Sequence, residues 1–322
     1  MSRTAATIVA LGTAVLLLGL LSLSVGRVWI PLSLWGTPGP LGVLLFELRL
    51  PRTLLAVIVG ATLGLGGAAL QGYTRNPLAD PGLLGVSAMA SLGAVLSLYF
   101  SLTSFWLLPT MAIGGAGVGV LLLLALAGLT GGTVTFVLAG VVLQTVAGAG
   151  IALALSLAPN PWASGEIIKW LMGSLQDRSV DDLRYTLPLA LAGGALVLAT
   201  APALDALTLG EAGARSLGAR LGRARLMLVV GVGLATGVCV AATGVIGFVG
   251  LIVPHLLRPL VGARPSALLV PSALGGAALM LAADMAVRLL PTAEEVRLGV
   301  ALSALGAPFF LALVLTLRRR LL

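Results

Sequence analysis

Residues able to do covalent or metal chemistry are scarce in this sequence. Its 322 residues include one histidine, His255, one cysteine, Cys239, and one lysine, Lys169. A single cysteine excludes an intrachain disulfide and a cysteine-based zinc site, and the GxxxxGK(S/T) loop that holds nucleotide phosphates is absent. The sequence therefore predicts no catalytic residues, no metal site and no cofactor, and it excludes an ATPase. Cys239 is interpreted as a packing residue and His255 as a structural one, with a haem ligand as the alternative for His255.

The longest charged stretch runs over residues 204–225, LDALTLGEAGARSLGARLGRAR. Its leucines alternate with acidic and basic residues, a pattern typical of short amphipathic helices. Helix breaks are predicted at three glycines, Gly210, Gly213 and Gly218. Two interpretations stay open from the residues alone. The stretch is either a loop whose basic residues lie beside anionic lipid headgroups or a docking element for a cytoplasmic partner.

Arg49 and Arg52 form a second polar island, in the motif RLPR. Arginine makes bidentate hydrogen bonds with carboxylates, so the pair suits acidic residues of a docked partner. Anchoring at the membrane surface is the alternative. Arg288 follows Asp284 by four residues, a spacing that predicts an ion pair within one helix.

A third island, RNPLADPGLLG at residues 75–85, is predicted to be a tight turn. Its prolines and Gly82 stop a helix, while Asn76 and Asp80 are suited to cap the flanking helix ends.

The elements between these islands are apolar. Hydrophobic residues make up 59% of the chain, charged residues 9%, and the mean hydropathy is +1.12, which excludes a water-soluble fold. Runs of about 20 apolar residues, enough to cross a hydrocarbon layer of roughly 30 Å, recur along the chain. We predict an all-α, polytopic membrane protein with residues 1–322 as a single transmembrane domain. The ten predicted spans lie near 5–25, 52–73, 83–102, 106–128, 133–157, 184–203, 226–243, 245–261, 267–290 and 298–317.

The distribution of basic residues predicts the orientation of these spans. With the N-terminus in the cytoplasm, eleven of the 19 basic residues fall on the inner side and eight on the outer side, a modest positive-inside bias. The net charge of +8 is thereby assigned to membrane topology and not to nucleic-acid binding. Both termini and the stretch at 204–225 are predicted to be cytoplasmic. The inner set is Arg3, Arg75, Arg215, Arg220, Arg223, Arg225, Arg258, Arg264, Arg318, Arg319 and Arg320.

Glycines predict close contacts between helices. Pairs at four-residue spacing, such as Gly60 with Gly64 and Gly115 with Gly119, let helix backbones approach within a membrane. The hexapeptide LGGAAL occurs at 65–70 and again at 274–279. It is read either as a trace of internal duplication or as coincidence in a chain so rich in these residues.

The three islands together resemble the FecCD-type permease family, the permeases of ABC importers for iron-siderophores, haem and vitamin B12. The order and spacing of the matching motifs agree over nearly the whole chain. They are LRLPRTLLAVIVGATLGLGGAALQGYTRNPLADPGLLGVS at 48–87, LTLGEAGARSLG at 207–218, GFVGLIVPHLLR at 247–258 and LGAPFF at 305–310.

This resemblance implies a type II ABC importer permease fold with ten helices, in the bacterial inner membrane. It also implies a second permease subunit, expected to form a homodimer, with ATP-binding subunits in the cytoplasm and a periplasmic or lipoprotein substrate-binding protein outside. Docking of the binding protein is implied for Arg49, Arg52 and Arg288. Docking of the ATPase is implied for Leu209, Gly210, Glu211, Arg215, Leu217 and Gly218.

Two positions depart from the family pattern. Arg297 stands where a proline commonly precedes the last helix. Residues 243–246, TGVI, replace the more usual Gly-Pro-Ile before GFVG, which predicts a softer bend.

The expected function is that of an importer permease for an iron chelate or cobalamin. The rival is an ion-coupled secondary transporter, which usually needs an ionisable group near mid-membrane. The predicted spans place no carboxylate there, because Asp284 falls close to the outer end of its span.

Overall fold

The computed structural model describes residues 3–36, 39–100, 104, 106–129 and 131–319. The regular secondary structure of this part of the chain is entirely helical. A π-helical turn at Leu44–Arg49 joins the second helix to the third, and short 3-10 turns lie at Leu32–Leu34 and Pro81–Leu84. The α-helices are α1 Arg3–Ser24, α2 Pro40–Val43, α3 Leu50–Thr74, α4 Val86–Tyr99, α5 Leu107–Ala127, α6 Thr133–Ser156, α7 Pro161–Leu171, α8 Val180–Leu198, α9 Ala201–Leu207, α10 Gly210–Ser216, α11 Leu221–Thr243, α12 Val249–Val261, α13 Pro265–Leu289 and α14 Leu298–Arg319.

Each predicted span has a helical counterpart in the described residues. Seven helical segments are long and apolar enough to cross a membrane: α1, α2 continued through α3, α5, α6, α11, α13 and α14. The pair α8 and α9, bent by 41°, makes an eighth if it is one span, while α4 and α12 are shorter apolar helices. The predicted span 83–102 was too long, because Pro81–Leu84 forms a 3-10 turn; residues 101 and 102 lie outside the described residues.

The break before α12 is complete. Gly244 ends α11 with a φ of 71°, and Phe248 has a φ of 68° before α12 begins. A positive φ suits glycine, which lacks a Cβ, so the chain leaves the helix without the proline that is usual here. The structure thus shows a full interruption and not the soft bend that the sequence predicted.

Small residues let α3 and α13 pack backbone against backbone. A Cβ added to Gly60 would lie 2.3 Å from the carbonyl oxygen of Gly276, and one added to Gly64 would lie 2.0 Å from that of Ser272. On α5, a Cβ on Gly115 would lie 2.4 Å from the carbonyl oxygen of Met89. The glycine spacing therefore predicted these contacts correctly, since only residues without a side chain permit such approach.

The turn between α3 and α4 is held by Asp80. Its carboxylate accepts a hydrogen bond of 2.8 Å from the Gly82 N–H and caps the 3-10 turn, as predicted. Burial raises the pKa of the Asp80 carboxyl, because the charged form loses water, and the Gly82 N–H opposes this shift. The cap predicted for Asn76 is wrong: its side chain accepts from the Leu78 N–H instead, and α3 ends at Arg75 in the left-handed region.

The connections between helices lie at two ends of the bundle, and long-range hydrogen bonds show which connections share an end. The basic end contains the α3–α4 and α5–α6 connections, residues 199–220 and the α12–α13 connection, joined by bonds such as Arg264 to Asp205. The mixed-charge end contains the α1–α2, α4–α5, α6–α8 and α13–α14 connections, joined by bonds such as Arg27 to Thr292. These are the groups of segments that the charge distribution assigns to the two sides of a membrane. Arg320 lies outside the described residues.

Candidate docking surfaces

At the basic end, the charged stretch folds into α9, α10 and the start of α11. Gly210 and Gly218 have φ values of 82° and 78°, so both predicted helix breaks are present. Gly213 lies inside α10, and the break predicted there is wrong. A glycine inside a short helix costs only about 1 kcal/mol, which the surrounding contacts can offset.

Two leucines of this stretch point away from the protein. Leu204 and Leu207 are buried and anchor α9, whereas Leu209 and Leu217, at the two ends of α10, are each 66% exposed. A groove of about 720 Å³ between α9 and the start of α11 includes both exposed leucines on its wall, together with Arg220. The surface therefore offers apolar contacts beside a basic side chain.

Asp205 fastens this surface to the membrane helices. Its carboxylate accepts hydrogen bonds from Arg264 Nε at 2.7 Å and from the Ser266 N–H at 2.9 Å and hydroxyl at 2.7 Å. Ser266 belongs to the first turn of α13. Asp205 therefore links α9 directly to the start of α13.

Glu211 is turned inward. Its Oε1 accepts a hydrogen bond from the Thr133 hydroxyl at 3.2 Å, and its Oε2 lies 3.4 Å from Arg215 Nη2. Thr133 is the first residue of α6, so Glu211 connects α10 to a membrane helix. Arg215 stays largely exposed and remains available to a partner.

Arg225 is a functional candidate that the sequence did not single out. Its buried guanidinium donates from Nε to the Tyr73 hydroxyl, from Nη1 to the Gly128 carbonyl at 2.9 Å and from Nη2 to the Gly131 carbonyl. Three segments of the basic end meet on this one side chain. In the sequence it is one arginine among several in a basic run, and no local signal separates it from the others.

At the mixed-charge end, Arg49 caps the end of α1. It is 7% exposed, and its Nη1 donates to the carbonyls of Leu23 at 2.9 Å and Ser24 at 2.8 Å, while Nη2 donates to that of Val28. A cation beside the last carbonyls of a helix also interacts favourably with the helix dipole.

Arg52 and Arg288 share the carboxylate of Asp284. Arg52 donates to Asp284 Oδ1 from Nε at 3.0 Å and from Nη2 at 2.7 Å, and Arg288 Nη2 contacts Asp284 Oδ2. Arg52 Nη1 also donates to Glu295 Oε2 at 3.1 Å, and Arg288 Nη1 donates to the Ser22 carbonyl at 3.0 Å. The predicted ion pair between Asp284 and Arg288 is confirmed.

The structure therefore brings Arg49, Arg52 and Arg288 together but gives each of them internal partners. Their docking role stays a prediction. The pairing of Arg52 with Asp284 and Glu295 was not foreseen, since more than 230 residues separate them along the chain. Arg297, the departure from the family pattern, donates to Gln176 Oε1 at 3.3 Å and so ties the α13–α14 connection to the α7–α8 connection.

His255 and Cys239 lie apart from both surfaces. The His255 ring packs edge-on against Phe309 with centroids 5.9 Å apart, and Cys239 is buried in α11. In the described part of the chain, no three or more His, Cys, Asp and Glu side chains form a group able to hold a metal ion.

A bundle of membrane-length helices, with one basic end and one end of mixed charge, defines a polytopic membrane protein of the permease class. The FecCD transport family matches residues 14–316, and the chain belongs to this family.

Relatives of known name cover almost the whole chain. The vitamin B12 import system permease protein BtuC of Shigella boydii is 40% identical over 314 residues, which is 96% of this chain and 94% of that protein. The hemin transport system permease protein HmuU of Yersinia pestis is 37% identical over 320 residues, 97% of this chain and 93% of that protein. A solved inward-facing conformation of a metal-chelate type ABC transporter superposes with a TM-score of 0.86 at 30% identity, covering 97% of this chain and 99% of that one.

Proposed function

We propose that this chain is the permease subunit of an ATP-driven importer for cobalamin or an iron chelate such as haem, in the bacterial inner membrane. Two relatives are named for vitamin B12 and hemin transport. The chain supplies the pathway, and a separate cytoplasmic subunit hydrolyses ATP.

The observation that carries this proposal is the pair of exposed leucines flanking α10. Leu209 and Leu217 project from a segment that Asp205 fastens to α13 and Glu211 fastens to α6. Exposed apolar side chains beside basic residues suit a protein partner. The hydrogen bonds of Asp205 and Glu211 hold the segment against the membrane helices, so it can move with them as a rigid unit. Closure of the ATPase dimer on α10 would then shift the membrane helices and change the opening of the pathway.

The orientation follows from the same surfaces. We place the basic end and both termini in the cytoplasm, as the positive-inside rule favours. The mixed-charge end then faces the periplasm and receives the substrate-binding protein, with Arg49, Arg52 and Arg288 at the docking site. Residues 1–322 form one permease domain, and two copies pair as a homodimer.

The test is ATP-dependent uptake in proteoliposomes that hold this chain, its ATPase and its binding protein, with cyanocobalamin, haemin or a ferric siderophore as cargo. Leu209→Ala and Leu217→Ala should weaken ATPase binding by about ten- to a hundredfold, the equivalent of roughly 1.5–3 kcal/mol per buried leucine. Leu290→Ala, an exposed leucine at the other end, is the matched control. Uptake that persists without any ATPase would contradict the proposal and favour an ion-coupled transporter.

A further inference from the structure

A pocket of about 250 Å³ opens beside Arg52 at the mixed-charge end. Its walls carry five arginines from separate parts of the chain: Arg27, Arg49, Arg52, Arg178 and Arg288. Three carboxylates oppose them, Asp177 and Glu295 on the wall and Asp284 bonded to Arg52 and Arg288. Five positive and three negative groups leave an excess of two positive charges, so the pocket attracts anions.

Two arginines of this pocket are fixed in place by backbone carbonyls. Arg49 and Arg288 are 7% and 6% exposed, and backbone carbonyls at the end of α1 hold both. Two buried donors in the pocket walls, Arg288 Nε and Arg178 Nε, have no acceptor among the described residues. Buried polar atoms are nearly always hydrogen-bonded, so the internal contacts around this pocket leave part of its arginine hydrogen-bonding capacity unsatisfied.

Arg52 has two internal carboxylates that differ in accessibility. Asp284 is fully buried, whereas the Glu295 side chain is 17% exposed and lies on the short α13–α14 connection. Both oxygens of Glu295 contact Arg52, through Nη1 at 3.1 Å and through Nη2. An approaching molecule therefore meets Glu295 first, while Asp284 continues to hold the arginine from behind.

We propose that Glu295 is an internal competitor for docking: a carboxylate of the substrate-binding protein replaces it on Arg52 when that protein docks. The inference rests on the proposed function, in which this end receives the binding protein. Arg52 keeps two carboxylates throughout the exchange, so no buried charge is left unpaired. The docking affinity then reflects the difference between the incoming carboxylate and Glu295, and docking frees the α13–α14 connection from α3.

The experiment uses the permease with its ATPase in lipid nanodiscs. Two probes are bound to it: the cognate substrate-binding protein, by interferometry, and a fluorescein-labelled hexaglutamate peptide, by anisotropy. Glu295→Gln should tighten binding of both probes about fivefold, because the hydrogen bonds that must be released lose their charge. Glu295→Asp keeps the charge but shortens the reach to Arg52 and should give an intermediate gain, even if the glutamine variant folds poorly.

Glu294→Gln is the matched control. Glu294 is the exposed neighbour of Glu295 and makes none of its contacts with Arg52, yet its replacement changes the net charge equally. It should change binding less than twofold at 150 mM salt, where charges beyond about 8 Å are screened.

Two failures can be told apart. Equal effects of Glu295→Gln and Glu294→Gln on binding would contradict the competitor role of Glu295. General attraction between the charged surfaces would then explain both effects. If Arg52→Gln and Arg178→Gln leave the affinity for the binding protein unchanged, docking at this pocket is itself wrong. Loss of binding in these two variants, together with the gain in Glu295→Gln, supports both proposals.

Discussion

Asp284 compensates two buried guanidinium groups, and its replacement tests how the mixed-charge end is held together. The side chain is fully buried on α13 and bonds Arg52 through Oδ1 and Arg288 through Oδ2. Asp284→Asn keeps the shape of the side chain but removes its charge. Arg288, itself 6% exposed, then has no carboxylate partner, and Arg52 retains only Glu295.

The expected loss of stability is about 3 kcal/mol. Removing one partner of a buried ion pair typically costs about 3–5 kcal/mol, and the lower figure applies because Arg52 is 12% exposed and keeps Glu295. At roughly 2–4 °C per kcal/mol for a domain of about 150–250 residues, a loss of about 3 kcal/mol lowers the unfolding temperature by about 6–12 °C, and the lower figure applies to a longer chain such as this one.

The single cysteine provides the assay. Cys239 is buried in α11, so a thiol-reactive fluorophore that labels it during heating reports unfolding of the bundle without any engineered probe. Asp177→Asn, which removes an exposed carboxylate at the same end, should shift the midpoint by less than about 1 °C. If Asp284→Asn unfolds at the same midpoint temperature as the Asp177→Asn control, the view that this carboxylate stabilises the two arginines is refuted.

Two further predictions concern other contacts of the bundle. Gly64→Ala should lower the stability of the bundle by about 1–3 kcal/mol, because the new Cβ would lie 2.0 Å from the Ser272 carbonyl oxygen. Gly114→Ala is the control: a Cβ there has nothing within 4 Å, so this change should be neutral or slightly stabilising. The unfolding of both variants is followed by Cys239 labelling. Arg225→Lys should fail to replace arginine, because one ammonium cannot reach Tyr73 and both carbonyls of the α5–α6 connection. The expected result is ATP hydrolysis that continues with at least a fivefold lower yield of transported cargo per ATP, and an unchanged yield would contradict a coupling role for this side chain.

The helical content of the fold was predictable because the bilayer imposes it. Backbone N–H and C=O groups in hydrocarbon must form their hydrogen bonds within the protein segment, so an apolar run of about 20 residues forms an α-helix. The predicted ends of the runs that finish at Ser24, Thr243 and Leu289 agree with the structure within two residues. The errors fall where polar or glycine-rich residues enter the runs. Residues 245–248 were predicted as helix but are not: the backbone is left-handed at Gly244 and Phe248, and the carbonyl of Thr243 accepts a hydrogen bond of 2.7 Å from the distant Ser174 N–H.

The sequence indicated which residues are candidates for docking, but it did not indicate their internal partners. The resemblance placed Leu209 and Leu217 at a docking surface, and the structure leaves both exposed. For Glu211 and Arg52, residue type alone indicates a charge that can meet a partner, while their bonds to Thr133 and Glu295 join residues 78 and 243 positions apart. Such pairings arise from helix packing, and a single sequence carries no local signal for them.

The two ends of the bundle use arginine in opposite ways. At the mixed-charge end, Arg49 and Arg288 are buried, and both donate to carbonyls at the end of α1. They therefore fix the start of α3 and the end of α13 relative to α1. At the basic end, Arg215 and Arg220 are exposed, whereas Arg225 is buried. In the proposed importer, the substrate-binding protein docks on a rigid outer surface, and the ATPase binds the inner surface and moves it. On the proposed function, we therefore expect removal of a buried arginine at the mixed-charge end to affect stability first, and removal of an exposed arginine at the basic end to affect coupling first.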